Sequence, residues 1–260
     1  ARRDAYIERL NGIYANNLDK RGVTFIEGFA TFVDAHTVEV AGVNYEADRI
    51  VVATGGAPIV PDIEGAEFGI TSDGFFELER QPKRVLIAGS GYFAVELGGV
   101  FASLGTETTI VVRKDSVLRS FDEMLSGELM QAMQASGIGL DTRVIPSSVQ
   151  KTDDGLVLHA EDGRTFGPVD ALVWAVGRSP NTATLKVDNA GLKLDAEGFV
   201  PTDEYQQTNV EHIFALGDVT GRDALTPVAI AAGRRRADRL YGGLDGRHLE
   251  YRVIPPGGVS

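Results

Sequence analysis

Residues 84–94 read Arg-Val-Leu-Ile-Ala-Gly-Ser-Gly-Tyr-Phe-Ala, and this run limits the fold more than any other stretch of the chain. Its apolar part, residues 85–88, is of the kind a strand buried on both faces requires. Gly89-Ser90-Gly91 breaks the run, and a helix should open there and continue through Leu104. Gly89 permits a tight turn, Gly91 leaves no Cβ over it, and small Ala94 lets the helix pack close to the strand. A second strand is expected over residues 108–112. The result is a βαβ unit whose helix N-terminus offers unpaired N–H groups and the positive end of its dipole to an anion. In that context Gly-x-Gly-x-x-Ala predicts a site for the pyrophosphate of a dinucleotide.

At the end of the second strand an NAD enzyme would place Asp or Glu to accept from the ribose hydroxyls. Here stand Arg113 and Lys114, with Arg119 one loop further on. Cations at that position suit a 2′-phosphate, each charge-assisted bond contributing about 1–3 kcal/mol. The chain as a whole has net charge −12 and a pI near 4.8, so three local cations stand out from the background. The expected nucleotide is NADPH.

Two hundred and sixty residues, 43% of them hydrophobic, can bury a sizeable core in one large or two ordinary domains. No apolar stretch approaches the ~20 residues that span a bilayer, and the N-terminus has no signal-peptide core. A soluble, cytoplasmic protein is expected. The acidic balance argues against nucleic acid and anionic membranes as partners. With no cysteine in the sequence, disulfides, thiolate metal sites and cysteine catalysis are excluded within these residues, and no metal site is expected. His36, His159, His212 and His248 lack a recognisable acid/base carboxylate and read as structural.

The chain opens with a helix over residues 4–20, then short alternating strands over 23–26, 30–33, 37–40 and 43–45, closing on Ile50-Val51-Val52-Ala53-Thr54-Gly55-Gly56. Around 120 residues later the same order returns. Strands are expected over 149–151, 156–159 and 164–166, with turns at Asp154-Gly155 and Asp162-Gly163, closing on Leu172-Val173-Trp174-Ala175-Val176-Gly177. Two copies of one plan are expected, the first without its βαβ unit, which predicts an excerpt of a larger protein. A further buried strand over 208–218 ends at Gly217-Asp218, and Thr226-Pro227 should start a helix over 228–241. An aspartate beyond the carboxyl end of a strand is positioned to accept from a ligand hydroxyl.

Together, Ala53-Thr54-Gly55-Gly56, Gly89-Ser90-Gly91-Tyr92-Phe93-Ala94-Val95-Glu96, Val112-Arg113-Lys114, Ala175-Val176-Gly177-Arg178-Ser179-Pro180-Asn181 and Ala215-Leu216-Gly217-Asp218 resemble the flavoprotein disulfide reductases. Ser72-Asp73-Gly74-Phe75-Phe76, Leu118-Arg119-Ser120-Phe121-Asp122 and Leu225-Thr226-Pro227 with Ala232-Gly233-Arg234-Arg235 are similar to the glutathione reductase branch. The resemblance covers essentially the whole chain. It implies an α/β, Rossmann-like, three-layer ββα fold, with a complete NADPH domain (57–204) inserted in a partial FAD domain (1–56, resuming over 205–260).

The resemblance also implies roles. Tyr92 would cover the flavin until NADPH arrives, and Glu96, one turn on, would pair with a lysine beside the reactive ring. Gly89, Ser90, Gly91, Phe93, Ala94 and Gly177 would line the NADPH site, with Arg113, Lys114 and Arg119 around its 2′-phosphate. FAD would be held by Ala30, Thr54, Gly55, Gly217, Asp218 and the backbone of Thr226, and Arg234 would stand near glutathione disulfide. Ala224 departs from the family, where a glutamate often stands near NADPH. The implied reaction passes a hydride from NADPH to FAD, then electrons to a dithiol and to glutathione disulfide, in a homodimer. The missing first FAD unit, cysteine pair and carboxy-terminal interface domain predict that the chain alone is inactive. Two other readings stay open: a flavin reductase of the same architecture without a dithiol, and a non-enzymatic NADPH-binding module.

Overall fold

A computed structural model describes residues 2–254. The chain begins with α1 (Arg2–Lys20), the meander β1 (Ala30–Phe32), β2 (Thr37–Val40) and β3 (Val43–Glu46), and β4 (Ile50–Val52). Next come β5 (Gly56–Pro58), α2 (Ser72–Glu77), β6 (Arg84–Gly89), α3 (Tyr92–Ser103), β7 (Glu107–Val111), α4 (Glu123–Ala135) and β8 (Gly139–Asp141). A second meander, β9 (Pro146–Thr152), β10 (Gly155–Ala160) and β11 (Thr165–Val169), leads into β12 (Ala171–Ala175) and β13 (Arg178–Pro180). Last are β14 (Ile213–Ala215) and α5 (Thr226–Tyr241).

These elements form two compact units. Among the described residues, a middle unit holds Thr54–Asn181 with residues 250–254, and an outer unit holds residues 2–53 with Thr182–Leu249. The middle unit ends at Asn181, whereas the NADPH domain is expected to run to residue 204. Leu185, Val187, Ala190, Leu192 and Val200 share a core with Phe32, Val52 and Ile213 of the outer unit, and that burial decides where residues 182–204 belong.

In the middle unit four strands run parallel in the order β12-β6-β7-β8. Alternation along β6 divides the core. Val85 and Ile87 face α3 and α4 with Ile110, Ala94, Phe101 and Met133. Leu86 and Ala88 face the second meander with Trp174, Val149 and Leu158. Helices, parallel sheet and meander make three layers, the expected ββα arrangement. Burying each such side chain contributes about 1.5–3 kcal/mol. At the strand starts, the Asp170 carboxylate accepts from the backbone N–H groups of Lys83 and Arg84 (2.9 Å each) and from Arg84 Nη2 (2.7 Å). The Arg84 bond is the main reason that the carboxyl is held below the usual aspartate range.

In the outer unit, among the described residues, β4 pairs in parallel with β14 alone. No residue of α1 is buried, and Phe29 is 90% exposed. The strand expected over 23–26 does not form: Phe25 is exposed and no neighbouring strand takes up its backbone. The expected 208–218 strand shrinks to Ile213–Ala215, because the Thr208 hydroxyl donates to Val210 O (3.1 Å) and Ile213 O (2.7 Å) and turns the chain. The helix expected from residue 228 starts at Thr226, with Leu225 as its cap residue and no side-chain cap. Thr226 is thus the first helical residue rather than the cap.

Arg236 on α5 is only 4% exposed, and its guanidinium lies over the Phe214 ring, 2.9 Å from the centroid. Neither terminal nitrogen has a hydrogen-bond partner among the described residues. Burial first, and then neighbouring Arg239, pushes the guanidinium down to about 10. Among the described residues no helix is long and apolar enough to cross a membrane, and no group of three or more His, Cys, Asp or Glu could hold a metal ion.

Candidate dinucleotide site

The site grows from the carboxyl ends of the parallel strands. β6 ends at Gly89, and α3 starts at Tyr92 with Gly91 as its cap residue, extended and without a side-chain cap bond. A helix start left without a side-chain cap is of the kind that receives an anion. A Cβ on Gly91 would meet no protein atom within 4 Å, as an open cradle requires. Gly89 has a different reason from the turn expected of it: a Cβ there would lie 2.2 Å from Ala175 O on β12. Gly177 has φ 140°, which a residue with a side chain rarely adopts, and Ile59 N–H donates to its carbonyl (3.0 Å).

The loop after β7 folds back over this turn. Leu118 N–H donates to Ser90 O (2.7 Å), while fully buried Val117 anchors the loop in the helix-side core. Those two contacts bring Arg119 beside Arg113 despite the five intervening residues. Gly89, Ser90, Gly91, Arg113, Arg119 and Gly177 line one cleft of about 530 Å³, together with Val111, Val144, Ala175 and their neighbours. Lys114 is exposed and adjoins the cleft without lining it. Among the described residues, no carboxylate is within ion-pair distance of Arg113, Lys114 or Arg119.

Other expected residues fall elsewhere. Ala94 is buried under α3 and packs against the sheet. Tyr92 opens α3, its ring 4.7 Å from that of Phe93, with Glu96 one turn on; none of these three lines the cleft. Thr54 Oγ1 donates to Asn181 O and Asn181 Nδ2 donates to Thr54 O, both at 2.9 Å, while Asn181 N–H donates to Gly55 O (3.0 Å). Thr54 and Gly55 therefore belong to the clasp where the chain enters and leaves the middle unit.

In the outer unit, Gly217 has φ 75°, and among the described residues no donor reaches the Asp218 carboxylate. Ala30 begins β1 and Thr226 begins α5. Exposed Arg234 shares a groove on α5 with Arg235 and the Arg247–Asp238 ion pair (3.1 Å). His36 and His212 stack on each other, with centroids 3.8 Å apart. Ile59, Pro61, Val144, Ile145 and Pro146 line the cleft without having been expected. The last three follow β8, whose short alternation over 138–140 is masked by Gly137 and Gly139.

A family model for pyridine nucleotide-disulphide oxidoreductases matches residues 2–233. The chain belongs to that family. Within it, the chain is 50% identical over 263 residues to a glutathione reductase of Schizosaccharomyces pombe, covering 98% of this chain and 56% of that protein. A glutathione reductase of Yarrowia lipolytica is 44% identical over 270 residues, with 98% and 57% covered. Among solved structures, the HOCl-induced flavoprotein disulfide reductase RclA from Escherichia coli superposes with a TM-score of 0.84 at 28% identity, covering 92% of this chain and 55% of that one. The chain thus spans a little over half the length of the curated relatives it matches.

Proposed function

We propose that this chain serves an NADPH-dependent FAD oxidoreductase that reduces glutathione disulfide, and that the middle unit holds its NADPH. The observation that carries the reading is the meeting, in one cleft, of the Gly89-Ser90-Gly91 turn at the start of α3 with Arg113 and Arg119. A helix start without a side-chain cap suits the pyrophosphate, and two guanidinium groups without carboxylate partners among the described residues suit a 2′-phosphate. Lys114, exposed next to Arg113, adds to the local potential.

The outer unit would take FAD, with the Asp218 carboxylate accepting from a ribityl hydroxyl and the start of α5 at Thr226 turned to the pyrimidine end of the ring. Ala30 and Gly217 complete the flavin contacts proposed for that unit, Tyr92 and Glu96 on α3 are the proposed groups at the nicotinamide end of the middle unit's site, and Arg234 is a proposed contact to the disulfide substrate. When bound, the two cofactors supply hydride transfer and electron delivery to a dithiol. None of the 260 residues is cysteine, so these residues do not carry that thiol step. A homodimeric, cytoplasmic enzyme is part of the same reading.

The test is nucleotide binding by Arg113→Glu with Arg119→Ala. NADPH should weaken by about 100-fold or more, with NADH changed far less. Equal losses for the two nucleotides would reject the 2′-phosphate role.

A further inference from the structure

We infer that Arg143, through its hold on Asp115, determines how strongly the cationic loop selects a phosphate on the adenosine ribose; this rests on the NADPH reading of the same cleft. The loop carries an acid among its bases. Asp115 stands directly after Lys114, so residues 113–119 sum to +2 (three cations less one carboxylate) rather than +3. A dianionic phosphate brought to Arg113 and Arg119 would feel that carboxylate as a repulsion.

The fold supplies the missing cation from another segment. Arg143 N–H donates to Lys114 O and Val144 N–H to Val112 O, both at 3.0 Å, which lays residues 143–144 along the end of β7 and its loop. Arg143 has φ 56°, and its turn is pinned by Arg164, whose Nη2 donates to Thr142 O (3.1 Å) and Arg143 O (2.6 Å). Asp162 (2.8 Å) and Asp141 (3.9 Å) neutralise Arg164 in turn. From this turn Arg143 Nε donates to Asp115 Oδ1, and the next two residues, Val144 and Ile145, line the cleft.

The two side chains are 78% and 72% exposed, so the pair adds little to stability. Its effect is electrostatic. The Asp115 charge is cancelled beside the phosphate position, and the loop acts as the three-cation clamp its other residues suggest. Arg143 is on this account a positioning residue, acting on the ligand only through Asp115.

Calorimetric titration of the chain with 2′,5′-ADP and with 5′-AMP tests this, because the two differ only in the 2′-phosphate. Arg143→Ala should weaken 2′,5′-ADP by about tenfold and leave 5′-AMP within about twofold, while Arg143→Lys should stay within about threefold of the parent. Asp115→Asn together with Arg143→Ala should return 2′,5′-ADP to within about threefold of the parent, since the charge to be cancelled is gone. The inference fails if Arg143→Ala leaves 2′,5′-ADP unchanged, or if the double variant stays as weak as Arg143→Ala. Arg113→Ala is the control. If it abolishes the preference for 2′,5′-ADP while Arg143→Ala does nothing, the NADPH reading stands and only the role of Arg143 falls. A parent chain that binds both ligands equally would overturn the NADPH reading itself.

Discussion

The meander β9–β11 lies on a four-stranded parallel sheet and buries Val149, Leu158, Ala160 and Val169 against Leu86, Ala88, Leu172 and Trp174. The meander β1–β3 sends Phe32 into its unit's core, with Val38 packed against it, and the strand that follows, β4, pairs with β14 in a two-stranded sheet. Both were written with alternating strands and tight turns, so local grammar does not account for the difference. What differs is the surface each meander is given: a sheet apolar on both faces in the middle unit, and a two-stranded pair in the outer one. A meander becomes part of a core only when a second layer covers its inward face.

Substitutions can break or sharpen this contrast. The largest loss should come from Ile110→Ala, which empties a fully buried position between sheet and helices. We expect about 2–5 kcal/mol by urea titration followed by circular dichroism, and a loss below about 1 kcal/mol would mean that the middle core is loosely packed. In the outer unit the expected change has the opposite sign. Arg236→Leu replaces a buried guanidinium whose terminal nitrogens lack partners and should stabilise by about 1–3 kcal/mol; a destabilised variant would show that the cation has an acceptor after all.

Asp170→Asn comes next. Its carboxylate ties β6 to β12, but the side chain is 34% exposed, so solvent screening limits the loss at neutral pH to about 1 kcal/mol or less. A depressed carboxyl contributes stability that is present above the unfolded value and lost as pH falls through the folded one. Parent and variant should therefore begin to converge as pH falls through about 4 and meet only below the lowered folded value, and a gap that persists below that value would assign the effect to shape rather than charge. Smallest of all should be Phe29→Ser at a 90% exposed position, within about 0.5 kcal/mol.

The middle unit was the more legible in sequence for the same physical reason. In β6, α3 and β7 the signals are local: an apolar run, a glycine turn, a helical period and a second run, each strong enough to stand without its partners. The glycine turn at the start of α3, and the cleft it shares with Arg113 and Arg119, lie within and beside these elements. Elements that need a distant partner were misread or missed. Residues 23–26 had strand composition but no strand to pair with, while β5 and β13 are three-residue segments that exist only because they pair with each other across more than a hundred residues. Ile145 and Pro146 reach the cleft on the segment between β8 and β9, and the brief alternation of β8 is hidden between glycines. Nor could composition show that Gly89 answers to Ala175 on a neighbouring strand rather than to its own turn.

Trp174 is the sole tryptophan of the sequence. It is 1% exposed, its indole N–H donates to Ala66 O (2.8 Å), and its neighbour Ala175 lines the cleft. Its intrinsic fluorescence therefore reports on the middle unit alone, whereas circular dichroism sums over both units. The offset between the two unfolding curves is a direct measure of how independently the units melt, and the chain carries that probe without any label.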